Sequence, residues 1–138
     1  MFGLRFQIKY SNSHLRTGQW LGHIPNEKLT HNAIITSPKI KYENALSWLF
    51  HYLIGILYAG FYIALITIYQ ANDPSVLSAW LFGLATIISP WFIMQPSLGM
   101  GICASKAEKP NIVRLQNFVI HSIFGFALYY SWLFLLQI

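Results

Sequence analysis

Charge is what this 138-residue sequence has least of: Asp, Glu, Lys and Arg make up 9% of it, and only four residues are acidic. Soluble domains run at about 25% charged, so the chain has too little polar surface to cover a core in water. Cysteine is nearly missing as well. The single Cys103 excludes an internal disulfide and offers no zinc or redox spacing. The first 44 residues hold no apolar h-region, so no cleavable signal peptide is visible. Paired carboxylates and a Ser/His/Asp set are also lacking. Glu27, Glu43, Asp73 and Glu108 all lie outside the apolar runs, and none is paired with a nucleophile. The sequence therefore predicts no catalytic residue and no enzyme. The net charge of +5 does not gather into a patch either, which argues against nucleic acid as a partner.

What the chain does have is apolar residues, 55% of the total, collected into long runs. Residues 45–69 hold no charge across 25 positions, more than the ~20 a helix needs to cross hydrocarbon. Trp48 near the start of this run and Tyr69 at its end match an interfacial aromatic belt. Residues 70–75 read as a polar turn broken by Asp73 and Pro74. Residues 76–94 and 117–136 read as two further spans. The expected fold is all-α, an integral membrane bundle of three transmembrane helices in a domain 45–138, with a loop at 95–116. Residues 1–44 read as a basic segment on the membrane surface. It is broken by glycine and proline, with a short helix expected near 26–35. Trp20, Leu21, Ile24, Leu29, Ile34 and Ile35 are its candidates for docking on the spans.

Lys and Arg set the expected orientation. Six precede the first span, three lie in the 95–116 loop, and the turn and tail have none. Positive residues stay in the cytoplasm, so the first segment and that loop are expected inside and the C-terminus outside. The lipid bilayer is one partner. A second copy of the chain or another membrane protein is the other expectation, because small residues let helices approach. Those residues are Gly55, Ala59 and Gly60 in the first span, Ala79, Gly83 and Thr86 in the second, and Gly125 in the third.

The histidines are the residues most able to carry chemistry. His51 and His121 fall inside spans, roughly 9 Å and 6 Å from the cytoplasmic ends at ~1.5 Å per residue. His23 and His31 lie in the segment before them, so a polar cluster of His23, His31, His51, His121, Gln95 and Arg114 is expected on the cytoplasmic face. One reading has His51 and His121 hydrogen-bonding across helices. The other makes them ligands of a metal or haem, or a proton-handling pair. Their spacing matches no zinc or haem pattern, so no cofactor is expected, with a metal or haem at His51/His121 as the alternative. Asn117, His121 and Gly125 share one face of the third span, and His51 and Gly55 repeat the arrangement in the first. The two faces are expected to meet. The same groupings leave three functional readings: a non-enzymatic subunit or accessory factor, a small oligomeric transporter or channel component, and a metal- or haem-linked protein.

The stretch PWFIMQPSLGMGICAS ends the second span with Pro90 and Pro96 and opens a loop at Gly99 and Gly101. Its glycines fit positive φ or close packing, and it lacks the lysine of a phosphate loop. This stretch, together with GQWLGHIP at 18–25, His31-Asn32-Ala33-Ile34, Trp48, His51-Tyr52, Pro110-Asn111, Arg114, His121 and Phe124-Gly125, resembles one family. It is the bacterial membrane-protein family called domain of unknown function twenty-nine thirty-eight. The resemblance runs over residues 18–130 and implies a bacterial inner-membrane location without supplying an activity. Members of that family carry a further glycine-bearing span before the GRWLGH-like segment and an arginine where this chain has Gln19. The resemblance thus implies a shortened, three-span form of a four-span bundle.

Overall fold

The computed structural model describes residues 13–24, 30, 34, 38–69, 74–135 and 137. Among them the secondary structure is helical, without strands. A short helix α1 spans Ser13–His23, and three long apolar helices follow: α2 at Glu43–Tyr69, α3 at Val76–Ser97 and α4 at Pro110–Leu135. Each long helix is long and apolar enough to cross a membrane. The expected helix near 26–35 and the turn at 70–73 lie outside the described residues, as do His31, Leu29 and Ile35. The helix found in the basic segment is α1, upstream of the expected one.

Each helix boundary has a local cause. Ser75 caps α3: its Oγ accepts from the Ser78 amide at 3.1 Å, and its own amide donates to Ser78 Oγ at 3.1 Å. The loop proves shorter than 95–116, because α3 runs on to Ser97 and α4 starts at Pro110. Proline suits the first helical position, where no N–H partner is needed. The sequence places Arg114 outside the apolar run, yet nothing prevents a helix from continuing past the hydrocarbon edge into water.

Pro90 and Pro96 also act differently from the expected stop. Neither ends the helix. Pro90 has no N–H to offer the Thr86 carbonyl, and the Ser89 amide takes that acceptor at 3.2 Å. The chain then widens into a π-turn at Ser89–Met94, in which the Gln95 amide donates to the Pro90 carbonyl. One extra residue in a turn rotates everything beyond it by about 100° relative to an α-helix at 3.6 residues per turn. The buried positions accordingly move from Ala79, Gly83 and Thr86 to Gln95 and Leu98. A Schellman motif closes the helix: Gly99 sits at φ 82°, its amide bonds the Pro96 carbonyl at 3.0 Å, and the Met100 amide bonds the Gln95 carbonyl at 2.8 Å.

Packing divides the bundle unequally. Helices α3 and α4 touch along their backbones. Helix α2 stands off from both, and aromatic side chains bridge the gap. The Tyr58 and Ser89 hydroxyls hydrogen-bond, the Tyr62 and Ser78 hydroxyls bond at 3.0 Å, and Phe61 and Tyr62 meet the Phe82 ring. Tyr62, Ile66 and Ala79 form one apolar cluster with Phe82, Leu128 and Tyr129 beside it. A second cluster lies at the loop end, where Ile34, 1% exposed, packs with Leu98 and Met100 against Trp20, Ala107 and Val113. Trp20 and Ile34 of the basic segment therefore pack on the loop, and the Ile34 amide bonds the Leu98 carbonyl at 3.3 Å.

Candidate functional site

The close approach of α3 and α4 builds the site. A methyl group added at Gly83 would fall 2.6 Å from the Gly125 Cα and 2.6 Å from the His121 carbonyl oxygen. One added at Gly125 would fall 2.8 Å from the Ala79 carbonyl oxygen. Only two glycines facing one another permit this seam. It corrects the expected pairing of faces: Gly125 meets α3, not α2, and Gly55 has no neighbour within 4 Å of where a Cβ would stand. The physical reason is bulk. The tyrosines at positions 58 and 62 hold α2 a side-chain layer away, whereas α3 and α4 meet glycine to glycine.

One turn along the seam toward the loop, the polar groups begin. Thr86 Oγ donates its single proton to the Gly83 carbonyl at 2.6 Å. It also lies 2.7 Å from His121 Nδ1, so the Thr86 hydroxyl bridges the α3 backbone to the imidazole on α4. The face of α4 continues to Asn117, one turn nearer the loop, whose Nδ2 is buried and has no partner. The pairing of Gly83 with Gly125 and of Thr86 with His121 sets an antiparallel register that brings Asn117 level with Ser89 and Pro90.

His51 occupies the side of α2 that bears Tyr58 and Tyr62, yet it is exposed, and its ring meets Trp48 and Tyr52 edge-on. Gly55, one turn beyond it, opens on to empty space.

The remaining expected cluster residues are dispersed. His23 Nε2 donates to the Pro38 carbonyl at 3.2 Å, with Gln19 Nε2 on the same oxygen at 3.3 Å. Arg114 Nε donates to the Cys103 carbonyl at 2.9 Å and Nη1 to Asn111 Oδ1 at 3.2 Å. That clamp holds a loop in which Cys103 and Ala104 both have positive φ, at 51° and 57°. Gln95 is 5% exposed, and its Oε1 is buried without a hydrogen-bond partner. His51 and His121 have different neighbours, Trp48 and Tyr52 for one and Thr86 for the other, and His31 lies outside the described residues. Among the described residues, no three His, Cys, Asp or Glu side chains stand together as a metal site would need. Sequence reasoning did not single out Thr86 as the partner of His121. Its signal was the continuation of the Ala79–Gly83 face by one more turn.

Comparison with known proteins reaches the level of family alone. No curated protein and no solved structure matches the chain. The family model described as "Protein of unknown function (DUF2938)" matches residues 5–135, and the chain belongs to that family.

Proposed function

We propose that this is an integral membrane protein that catalyses no reaction and acts through its helix faces, as a subunit or accessory factor of a membrane assembly. One observation carries the reading. On the side of α2 turned away from the bundle, Gly60 and Ala64 stand one turn apart, both exposed, and nothing lies within 4 Å of a Cβ placed at Gly60. Glycine in a span weakens nothing when it lets a second backbone approach, as Gly83 and Gly125 do inside the chain. An outward small-residue pair is suited to the same approach by a helix of another chain. The Lys and Arg asymmetry supports an orientation with the basic segment and the 98–109 loop in the cytoplasm and the C-terminus outside, and the family resemblance supports a bacterial inner membrane.

The test is cross-linking in native membranes. With Cys103→Ser as background, Ala64→Cys is expected to give a discrete higher-mass adduct that Gly60→Leu abolishes. An adduct of twice the chain mass identifies a second copy, and any other mass a different protein. No adduct from Ala64→Cys, or one indifferent to Gly60→Leu, sinks the reading.

A further inference from the structure

We propose that the turn leading into α2 binds the phosphate of an anionic phospholipid, with Lys39 and Lys41 as its cationic contacts and Tyr42, Trp48 and Tyr52 as its aromatic anchor. This surface lies at the loop end of α2, apart from the Gly60 and Ala64 pair, and the proposal goes beyond the helix-contact reading.

Three observations carry it. The first is charge. Lys39 and Lys41 are both exposed, and among the described residues no carboxylate pairs with either. Lys41 Nζ lies instead 5.0 Å from the centre of the Tyr42 ring, a contact that leaves its positive charge uncancelled. Glu43, the nearest acid along the chain, keeps Oε2 buried. The second is the turn itself. Tyr42 takes φ 67°, a left-handed conformation that a bulky residue rarely adopts. It is 68% exposed, so the strain does not serve packing of the tyrosine. Helix α1 holds the turn in place: Gln19 and His23 both bond the Pro38 carbonyl, and Gly22 leaves room for the Ile40 side chain. Strain imposed in this way gathers at sites that hold a ligand. The third is level. Trp48 and Tyr52 follow the first residue of α2 by roughly 8 and 14 Å at ~1.5 Å per residue. They are 47% and 63% exposed, and their rings stack at 5.8 Å. Aromatic rings of this kind mark the headgroup band, which sets the two lysines beside them at the phosphates.

The class of ligand follows from the same charges. A lysine at a membrane surface gains about fivefold in affinity for anionic lipid. A phosphatidylcholine head carries its own ammonium beside the phosphate and gives two free lysines no net charge to meet. A phosphatidylglycerol head does. The other exposed lysines, Lys106 and Lys109, are less suited: the exposed Glu108 stands between them in the chain, and residues 98–109 hold no aromatic side chain. Arg114 is committed to Cys103 and Asn111.

Photo-cross-linking of the full chain in phosphatidylcholine proteoliposomes tests this. Two probes are used, a phosphatidylglycerol and a phosphatidylcholine, each with a diazirine high on the same acyl chain. The phosphatidylglycerol probe is expected to label residues 42–53 several-fold more than the other, and unlabelled phosphatidylglycerol should compete. The preference should weaken in about 0.5 M salt, where exposed charges are screened. Lys39→Gln with Lys41→Gln should bring labelling down to the level of the phosphatidylcholine probe, a loss of about fivefold per lysine. Both side chains are exposed, so this variant should keep the wild-type unfolding midpoint. Lys106→Gln with Lys109→Gln is the charge-matched control and should change labelling less than about twofold. Gly60→Leu should leave labelling unchanged, which keeps the outcome separate from the helix-contact reading. Equal labelling by the two probes, or a preference that survives loss of Lys39 and Lys41, overturns the proposal. So does an equal drop in the Lys106 and Lys109 control, because the attraction would then belong to the whole basic face and not to this turn.

Discussion

The glycine seam between α3 and α4 leaves no room for a side chain, and Gly83→Ala tests it. The added methyl would meet backbone atoms at 2.6 Å, whereas ordinary contact begins at 3.4 Å. Backbone cannot swing aside as a side chain can, so α3 and α4 must part by about 0.8 Å, the difference between those two distances. A gap of that size forfeits roughly a quarter to a half of the dispersion energy of each atom pair along the seam. Overpacking of this kind costs about 1–3 kcal/mol. Parting the helices also stretches the 2.7 Å bond between Thr86 and His121, and an interhelical bond in a membrane averages about 0.6 kcal/mol. The expected loss is therefore about 2–4 kcal/mol, and 2 kcal/mol alone is roughly a 30-fold shift toward the unfolded state. The assay is unfolding in mixed dodecylmaltoside and SDS micelles, followed by tryptophan fluorescence. Gly55→Ala is the control, because its methyl meets nothing within 4 Å. It should stay within about 0.5 kcal/mol of wild type. If Gly83→Ala unfolds at the wild-type SDS fraction, or if both variants lose equally, the direct contact of α3 with α4 is wrong.

Two further outcomes test other parts of the structure. Arg114→Ala should release the loop whose Cys103 carbonyl it holds, raising the rate of maleimide labelling at Cys103 about tenfold through easier local opening; an unchanged rate would show that the clamp does not restrain the loop. Ser75→Ala removes the oxygen that caps α3 and should cost about 1 kcal/mol, with faster amide exchange over residues 76–79 and unchanged exchange in α4.

The three long helices were legible in the sequence because crossing hydrocarbon is a local requirement. A helix satisfies its own backbone bonds, so an uncharged run of sufficient length declares itself without reference to any partner. The Asn117–His121–Gly125 stripe and the Ala79–Gly83 pair were legible for a similar reason, since helical periodicity places them on one face whatever lies opposite. Which stripe meets which is a different kind of question. Sequence periodicity marks Gly55 and Gly125 alike as places where a helix can come close, and only the tertiary structure decided that Gly125 meets Gly83 while tyrosines hold Gly55 away. The π-turn is another such decision. Two prolines six residues apart read as a stop, yet a neighbouring amide took the orphaned Thr86 carbonyl and let the helix continue. The contact of His121 with Thr86 also lay beyond the sequence, because the two residues stand 35 positions apart and meet only when α3 and α4 pack. Composition and period thus determined the spans and their faces, which need only short-range physics. Which faces meet followed from the relative placement of the helices, which depends on the size of side chains far apart in the chain.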